Sequence, residues 1–429
     1  MNTAKLIRTR NILKQSLDPV VVTQIARNTG FTVRIRDVQP AALANTLIYN
    51  CGARKTETLA DLQRTFNALT GKTVHYKPFH NQLAKPAFPE FFREILSHLL
   101  GRMTLKTLKP VPTSALAQFK DIIIQDGSSF ALKDSLKTTY PGRFTTISPA
   151  AVELHATMSV FADQPITIWL SPDSQAERDF LPVPESLRNK LFLGDRGYED
   201  TEYVAQVRDA GGHVIIRCKG TLNPVVKSCW VSGRVPRSLR NRSLKEILGK
   251  LRGKHADLDV EWSRKKSVGT LRLVLIWNPK FKRHMYLVTN LDRETFTAEM
   301  VRTLYRLRWQ VELLFKEWKS YANLHAFPTG KAGIAEGLMW AALAAALLKR
   351  FLAHSTQLVF PGVEISTRRT SMAVTEFMPE LIGALLSGRG LLRTLRCVLL
   401  YLSTQALRAH PKRDRIKGRL QLGLEPVSA

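Results

Sequence analysis

Three acidic residues sit where a carboxylate can do chemistry. Asp126 follows a short apolar run, FKDIIIQ over Phe119 to Gln125, and opens the stretch DGSSF. Asp195 follows Leu191-Phe192-Leu193 in the same way, inside GDRGY. Each has a glycine beside it, which lets backbone and ligand approach closely. Asp-Gly is also a common turn former, so either aspartate alone reads equally well as a plain turn. The third acid comes from a helix. In TLYRLRWQVELLFKEWK, Thr303 to Lys319, Tyr305, Arg308, Glu312 and Lys319 fall within roughly 60° of one another at about 100° per residue. Leu304, Leu307, Val311, Leu314, Phe315 and Trp318 form a separate apolar stripe. This helix can dock through the stripe and present the Tyr-Arg-Glu-Lys row to a cleft. Glu317 points about 140° from Glu312 and does not belong to that row. Without the two aspartates, the row is a solvated face carrying an Arg308–Glu312 pair at i, i+4.

Carboxylates from two strand ends and one helix form an oxygen-only donor set, which suits two Mg²⁺ ions, with Mn²⁺ as a substitute. Two such ions activate a water or a 3′-hydroxyl and stabilise a leaving 3′-oxygen. Arg308 and Lys319 would counter the charge of a phosphate backbone, and Tyr305 would hydrogen-bond a phosphate oxygen.

The partner class follows from charge. The chain has 429 residues and 64 Lys plus Arg against 35 Asp plus Glu, a net charge of +29. Its 44% hydrophobic content is that of a globular chain. So basic a globular protein points to a polyanion, DNA first and an acidic membrane surface second. The first twenty residues have no continuous apolar core, which argues against secretion. The four cysteines show no CxxC pairing and read as reduced thiols of a cytoplasmic protein. No HExxH or Cys/His spacing for zinc occurs.

The elements that must position the acids can be read around them. Residues 1–115 are mostly helical: Val20 to Asn28 ends at Gly30, and Thr56 to Leu69 and Pro89 to Met103 are amphipathic. Arg34 and Arg36 follow the first of these as possible DNA contacts, in a weak helix-turn-helix pattern that a helical-bundle corner explains better. Residues 116–330 alternate strands and helices. Val152 to Phe161 and Pro165 to Leu170 form a hairpin, a Pro-punctuated helical stretch follows, and the helix Glu199 to Ala210 leads to the strand His213 to Arg217. Residues 217–283 hold 18 Lys plus Arg against 4 Asp plus Glu, and Leu271 to Trp277 and Met285 to Thr289 are strand-like. This is a basic, β-rich insert over about 218–290. Residues 331–429 are helical with a basic end, Lys412 to Leu420. The apolar run Gly337 to Leu348 has 12 residues, short of the roughly 20 needed to span a membrane, and reads as a core helix or a subunit contact. His155 reads as a packed core histidine and Trp309 as packing beneath the site.

Tyr305, Arg308, Glu312 and Lys319, spaced by two, three and six residues, resemble the Y-R-E-K signature of bacterial insertion-sequence transposases of the IS-four family. DGSSF, GDRGY and YRLRWQVELLFKEWK match that family in order and context, and GFTVRIR near Phe31 resembles its N-terminal region. The resemblance implies an α/β, ribonuclease-H-like mixed sheet with the β-rich insert, flanked by helical N-terminal (DNA-binding) and C-terminal regions. It implies Asp126, Asp195 and Glu312 as metal ligands, and cut-and-paste chemistry at terminal inverted repeats followed by joining to target DNA. It further implies a homodimer pairing two ends. In relatives, a hairpin intermediate stacks a displaced base on an aromatic of the insert; Tyr286 and Trp277 are the nearest candidates here. The alternatives are a related nuclease that cannot join strands and a catalytically silent DNA-binding relative.

Overall fold

The computed structural model describes all residues except 54–56, 232–235, 263–265, 323, 325–326, 411–421 and 428–429. The basic segment Lys412 to Leu420 therefore lies outside the described residues. Six helices open the chain: α1 (Thr3–Ser16), α2 (Pro19–Asn28), α3 (Pro40–Ala53), α4 (Leu59–Thr70), α5 (Tyr76–Leu83) and α6 (Phe88–Met103). Their ends follow local chemistry. Asp18 caps α2 with Pro19 in its first turn, and a reciprocal Thr58–Asp61 capping box starts α4, both devices that satisfy otherwise orphaned N–H groups. Eleven residues separate α2 from α3, too many for a helix-turn-helix turn of three or four.

After a short strand β1 (Leu108–Pro110) comes the sheet that positions the acids. Its strands are β2 (Asp121–Ala131), β3 (Ala151–Ser159), β4 (Gln164–Pro172), β5 (Lys190–Gly194) and, after helix α7 (Thr201–Asp209), β6 (His213–Cys218). β2, β3 and β4 are antiparallel neighbours, and β5 and β6 run parallel to β2. The Pro-punctuated stretch before β5 holds only two 3₁₀ turns, Glu177–Phe180 and Pro184–Leu187, not the expected helix. Prolines at 182 and 184 remove the N–H groups that a longer helix needs.

The insert adds strands β7 (Val225–Val231), β8 (Arg242–Ser243), β9 (Ala256–Glu261), β10 (Leu271–Asn278) and β11 (Arg283–Thr289), and the helix α8 (Leu244–Leu251). These strands extend the same sheet. Its order is β4-β3-β2-β5-β6-β11-β10-β9-β7-β8, so ten strands share one hydrogen-bonded surface.

The sheet separates two cores. One face, with Ile122, Ile124, Leu193 and Ile215, packs on helices. The other, with Phe192, Ile216, Leu258 and Leu275, packs on α7 and α8. On the first face lie α9 (Ala298–Tyr305), a 3₁₀ turn (Arg306–Arg308) and α10 (Trp309–Tyr321). The helix expected over 303–319 is thus two helices joined by a tight turn, yet every residue of its apolar stripe is buried.

Behind α10 runs α11 (Ala332–Val359), followed by α12 (Thr367–Ala373), α13 (Met378–Ser387) and α14 (Leu391–Gln405). A last strand, β12 (Leu424–Pro426), pairs with β1. α11 packs against α1, α3, α6, α12 and α14, so the N-terminal and C-terminal helices close around one central rod. By length and composition α11 is apolar enough to cross a membrane, but 83% of its apolar window is buried in the protein.

Candidate active site

Strand register brings the two aspartates together. Gln125 of β2 pairs in parallel with Gly194 of β5, so the next residues, Asp126 and Asp195, stand side by side on strands about 4.8 Å apart. Side chains alternate along a strand, and Asp126 shares the parity of Ile122 and Ile124, whose face carries α10. The structure corrects one expectation. Asp126 does not follow β2 but lies within it, because the strand continues to Ala131, held by antiparallel pairing with β3 along its whole outer half. Asp195 does stand just past the end of β5.

The helical row meets both acids. Tyr305 Oη donates to Asp195 Oδ1 at 3.1 Å. Arg308 Nη1 donates to Asp126 Oδ2 at 2.7 Å, and its Nη2 donates to Glu312 Oε1. Lys319 Nζ donates to the carbonyl of Ser129 on β2 at 2.7 Å. Asp126, Asp195, Glu312, Tyr305 and Arg308 thus come together from β2, the end of β5 and the α9–α10 segment, while Lys319 is tied to β2 three residues beyond Asp126. Arg217 of β6 adds a further cation, 3.7 Å from Asp195.

The electrostatics are those of a crowded acidic cleft. Burial pushes the Asp126 carboxyl up to about 7, with Asp195 and Glu312 adding to the rise and Arg308 opposing it. Burial works against the Arg308 cation, yet Asp126 and its neighbours hold it charged. The Tyr305 phenol is raised by burial and then by Asp195, so it stays a donor. Among the described residues no three His, Cys, Asp or Glu side chains are already gathered closely enough to hold a metal ion; the Arg308 guanidinium lies between two of the three acids. The donor chemistry, carboxylate oxygens only, nonetheless fits a hard divalent cation.

A supporting layer was not legible in the sequence. Glu153 on β3 is buried beside Gly127, where a Cβ would come within 2.4 Å of its Oε1. Burial, then Glu177, lifts the Glu153 carboxyl to about 7, against the pull of Arg143, which sits 3.2 Å away. The Arg143 N–H also donates to Asp173 Oδ2 at 3.0 Å, and Ser129 Oγ donates to the other Asp173 oxygen. The available signal was Gly127 itself, since a strand-interior glycine marks a close approach.

Other expected residues lie elsewhere. Arg34 and Arg36 are exposed on the α2–α3 loop. Tyr286, only 9% exposed, belongs to the core on the opposite sheet face, and Trp277 shares that face by strand parity, edge-on to His284. Neither aromatic reaches the acids. Trp309 does not pack beneath the site but is 49% exposed, with Lys316 over its ring. His155 is a core residue, 2.9 Å from Ser171 Oγ and stacked on Phe180. Glu317 is turned away from the acids, as its helical angle requires, and pairs with Arg350.

Acids from two adjacent strands and a helix packed on a mixed sheet are the arrangement of an α/β enzyme, and comparison with known proteins specifies which. Residues 117–348 match the family described as transposase DDE domain. The chain therefore belongs to the DDE transposases, enzymes of insertion sequences, and membership implies use of a divalent metal. It is 24% identical over 355 residues, 73% of each chain, to the transposase for insertion sequence element IS231B of Bacillus thuringiensis subsp. berliner. It is 20% identical over 419 residues, 88% of this chain and 87% of the relative, to the transposase for IS1151 of Clostridium perfringens. Among solved structures, the piggyBac transposase synaptic complex with hairpin DNA aligns over 92% of this chain and 86% of that one, at 11% identity and a TM-score of 0.44.

Proposed function

We propose that this transposase moves its insertion sequence by cut-and-paste, with Asp126, Asp195 and Glu312 binding two Mg²⁺ ions, for which Mn²⁺ substitutes. The observation that carries the reading is that Tyr305 reaches Asp195 while Arg308 ties Asp126 to Glu312, so one helical row meets both strand-borne aspartates. Three antiparallel strands followed by two parallel ones support a ribonuclease-H-like core. The bound metal would lower the pKa of the attacking water or 3′-hydroxyl and offset charge on the leaving 3′-oxygen. The chain's own groups do the rest. Tyr305, kept protonated, orients the Asp195 carboxylate through its hydrogen bond. Arg308, which now balances Asp126 and Glu312, and Lys319, at the outer half of β2, bring positive charge to the backbone phosphates flanking the scissile bond. The basic insert, continuous with the sheet, extends a positive surface for DNA beside the acids.

On this reading the N-terminal helices bind the terminal inverted repeats, and a homodimer pairs two ends before the freed 3′-hydroxyls join target DNA. The test is incubation with end-labelled inverted repeats and Mg²⁺, then strand mapping, with a second assay on pre-cut ends. Nicks at the 3′ ends and joined product support the proposal. Nicks without joined product refute the strand-transfer step.

A further inference from the structure

A group of charges is buried on the side of α10 that faces away from the acids, and the chemistry described so far does not use it. Arg350, 4% exposed in the middle of the apolar rod α11, reaches in two directions. Its Nη1 lies 3.1 Å from Glu317 Oε2 on α10. Its Nη2 lies 3.0 Å from Asp163 Oδ1, and its Nε donates to the Asp163 carbonyl at 2.6 Å. Asp163 sits in the β3–β4 turn with φ of 51°, a left-handed conformation uncommon outside glycine. The second oxygen of Glu317 accepts from Ser371 Oγ of α12 at 3.4 Å, and the neighbouring Lys349 donates to the Ser371 carbonyl at 3.0 Å. Asp163, Glu317 and His354 also border a cleft of about 1570 Å³ on this flank of α10.

Stability does not explain why these charges are buried. Removing two carboxylates and a guanidinium from water costs roughly what their attraction returns, and apolar replacements are often neutral or stabilising. What a guanidinium supplies that apolar packing does not is direction, because its rigid fork fixes the distance and angle between two partners. The two partners here are the helix that carries Glu312 and the turn that ends β3, the strand paired with the one carrying Asp126. One side chain therefore spans the two halves of the candidate metal site from behind.

We propose that Asp163, Arg350 and Glu317 are positioning residues, a strut that sets the spacing of Glu312 from Asp126 and Asp195 and so governs affinity for the divalent metal. The proposal rests on the reading of those three acids as metal ligands. Partners hydrogen-bonded directly to metal ligands change metal affinity by about 10–100-fold; these residues touch no ligand and act through the placement of α10 and β3, so a loss at the low end of that range, about tenfold, is expected.

The test is calorimetric titration of the full-length protein with Mn²⁺ alone, on the triple variant Asp163→Asn, Glu317→Gln, Arg350→Met and on the single variant Glu317→Gln. The triple variant leaves the buried Lys349 cation without Glu317, so it is expected to melt below the parent and, where folded, to bind Mn²⁺ about tenfold more weakly. Glu317→Gln, which keeps the shape but loses the charge and one of the two acceptor oxygens that hold Arg350 and Ser371, is expected to weaken Mn²⁺ by a smaller factor and keeps the test alive should the triple variant not fold. Unchanged Mn²⁺ affinity in either folded variant overturns the strut. Glu312→Gln, titrated in parallel, separates the two readings: if it retains parental Mn²⁺ affinity, the assignment of the metal ligands fails, whatever the strut variants do.

Discussion

Arg308→Gln removes the one cation among the described residues that touches two of the three acids, while keeping most of the side chain's bulk. The ion pair to Asp126 is 2.7 Å long, and the side chains of Arg308, Asp126 and Glu312 are 12%, 16% and 27% exposed. Breaking a fully buried pair costs about 3–5 kcal/mol, because the surviving charge is left uncompensated. Residual water contact reduces that to roughly 2–3 kcal/mol here. At about 2.1 cal/mol/K per residue of unfolding entropy, a chain this long loses about 3 °C in melting temperature. A divalent ion bound at the carboxylates replaces the missing charge and stabilises by mass action, about 2.7 kcal/mol at a hundredfold excess over its dissociation constant. Thermal melts in chelator and in Mg²⁺ read both effects. The variant should melt lower than the parent in chelator and gain more on adding Mg²⁺. Equal melting in chelator, or an equal Mg²⁺ gain, would refute the claim that Arg308 balances the acids.

Lys319→Ala should weaken DNA binding and reduce the slope of log affinity against log salt by about one; an unchanged slope would remove Lys319 from the phosphate contacts. Gly337→Ala adds a better helix former, worth about 1 kcal/mol, but its Cβ would lie 2.2 Å from the Phe88 ring where α11 crosses α6. Overpacking of that kind costs about 1–3 kcal/mol, so a lower melting temperature is expected, and a higher one would contradict the packing. His155 is held neutral, its pKa lowered by burial to about 4. The unfolded chain then binds a proton that the fold resists, so stability is lost as pH falls from about 6.5 to about 4, by up to roughly 3 kcal/mol. His155→Phe should flatten that acid limb in denaturant titrations, and an unaltered limb would show that His155 does not titrate there.

The acids were legible because each sat in a local pattern: an apolar run leading into an Asp beside a Gly (Asp126-Gly127 and Gly194-Asp195), and a helix whose polar row and apolar stripe are both read from a 3.6-residue period. The stripe from Leu304 to Trp318 is buried throughout, and the 3₁₀ turn at Arg306–Arg308 was invisible because nothing in it breaks a helix. β2 looked shorter than it is, since Gly127, Ser128 and Ser129 are poor strand formers; long-range pairing with β3 overrides that preference. α8 was missed because eight residues give too little period inside a basic stretch. Most instructive are Lys349 and Arg350, which in sequence close the apolar run Gly337 to Leu348. The helix continues to Val359 with both cations buried, because their partners arrive from residues 163, 317 and 371. No local pattern carries contacts of that range, and the same holds for Glu153 behind Gly127.

The most direct measurement is Mg²⁺-dependent cleavage of inverted-repeat DNA by Asp126→Asn, Asp195→Asn and Glu312→Gln, with end binding measured on the same preparations. Each variant should lose cleavage by more than the roughly 10–100-fold typical of removing a metal ligand's outer hydrogen-bond partner, while end binding persists. Parental cleavage by any one of them would contradict the three-carboxylate site.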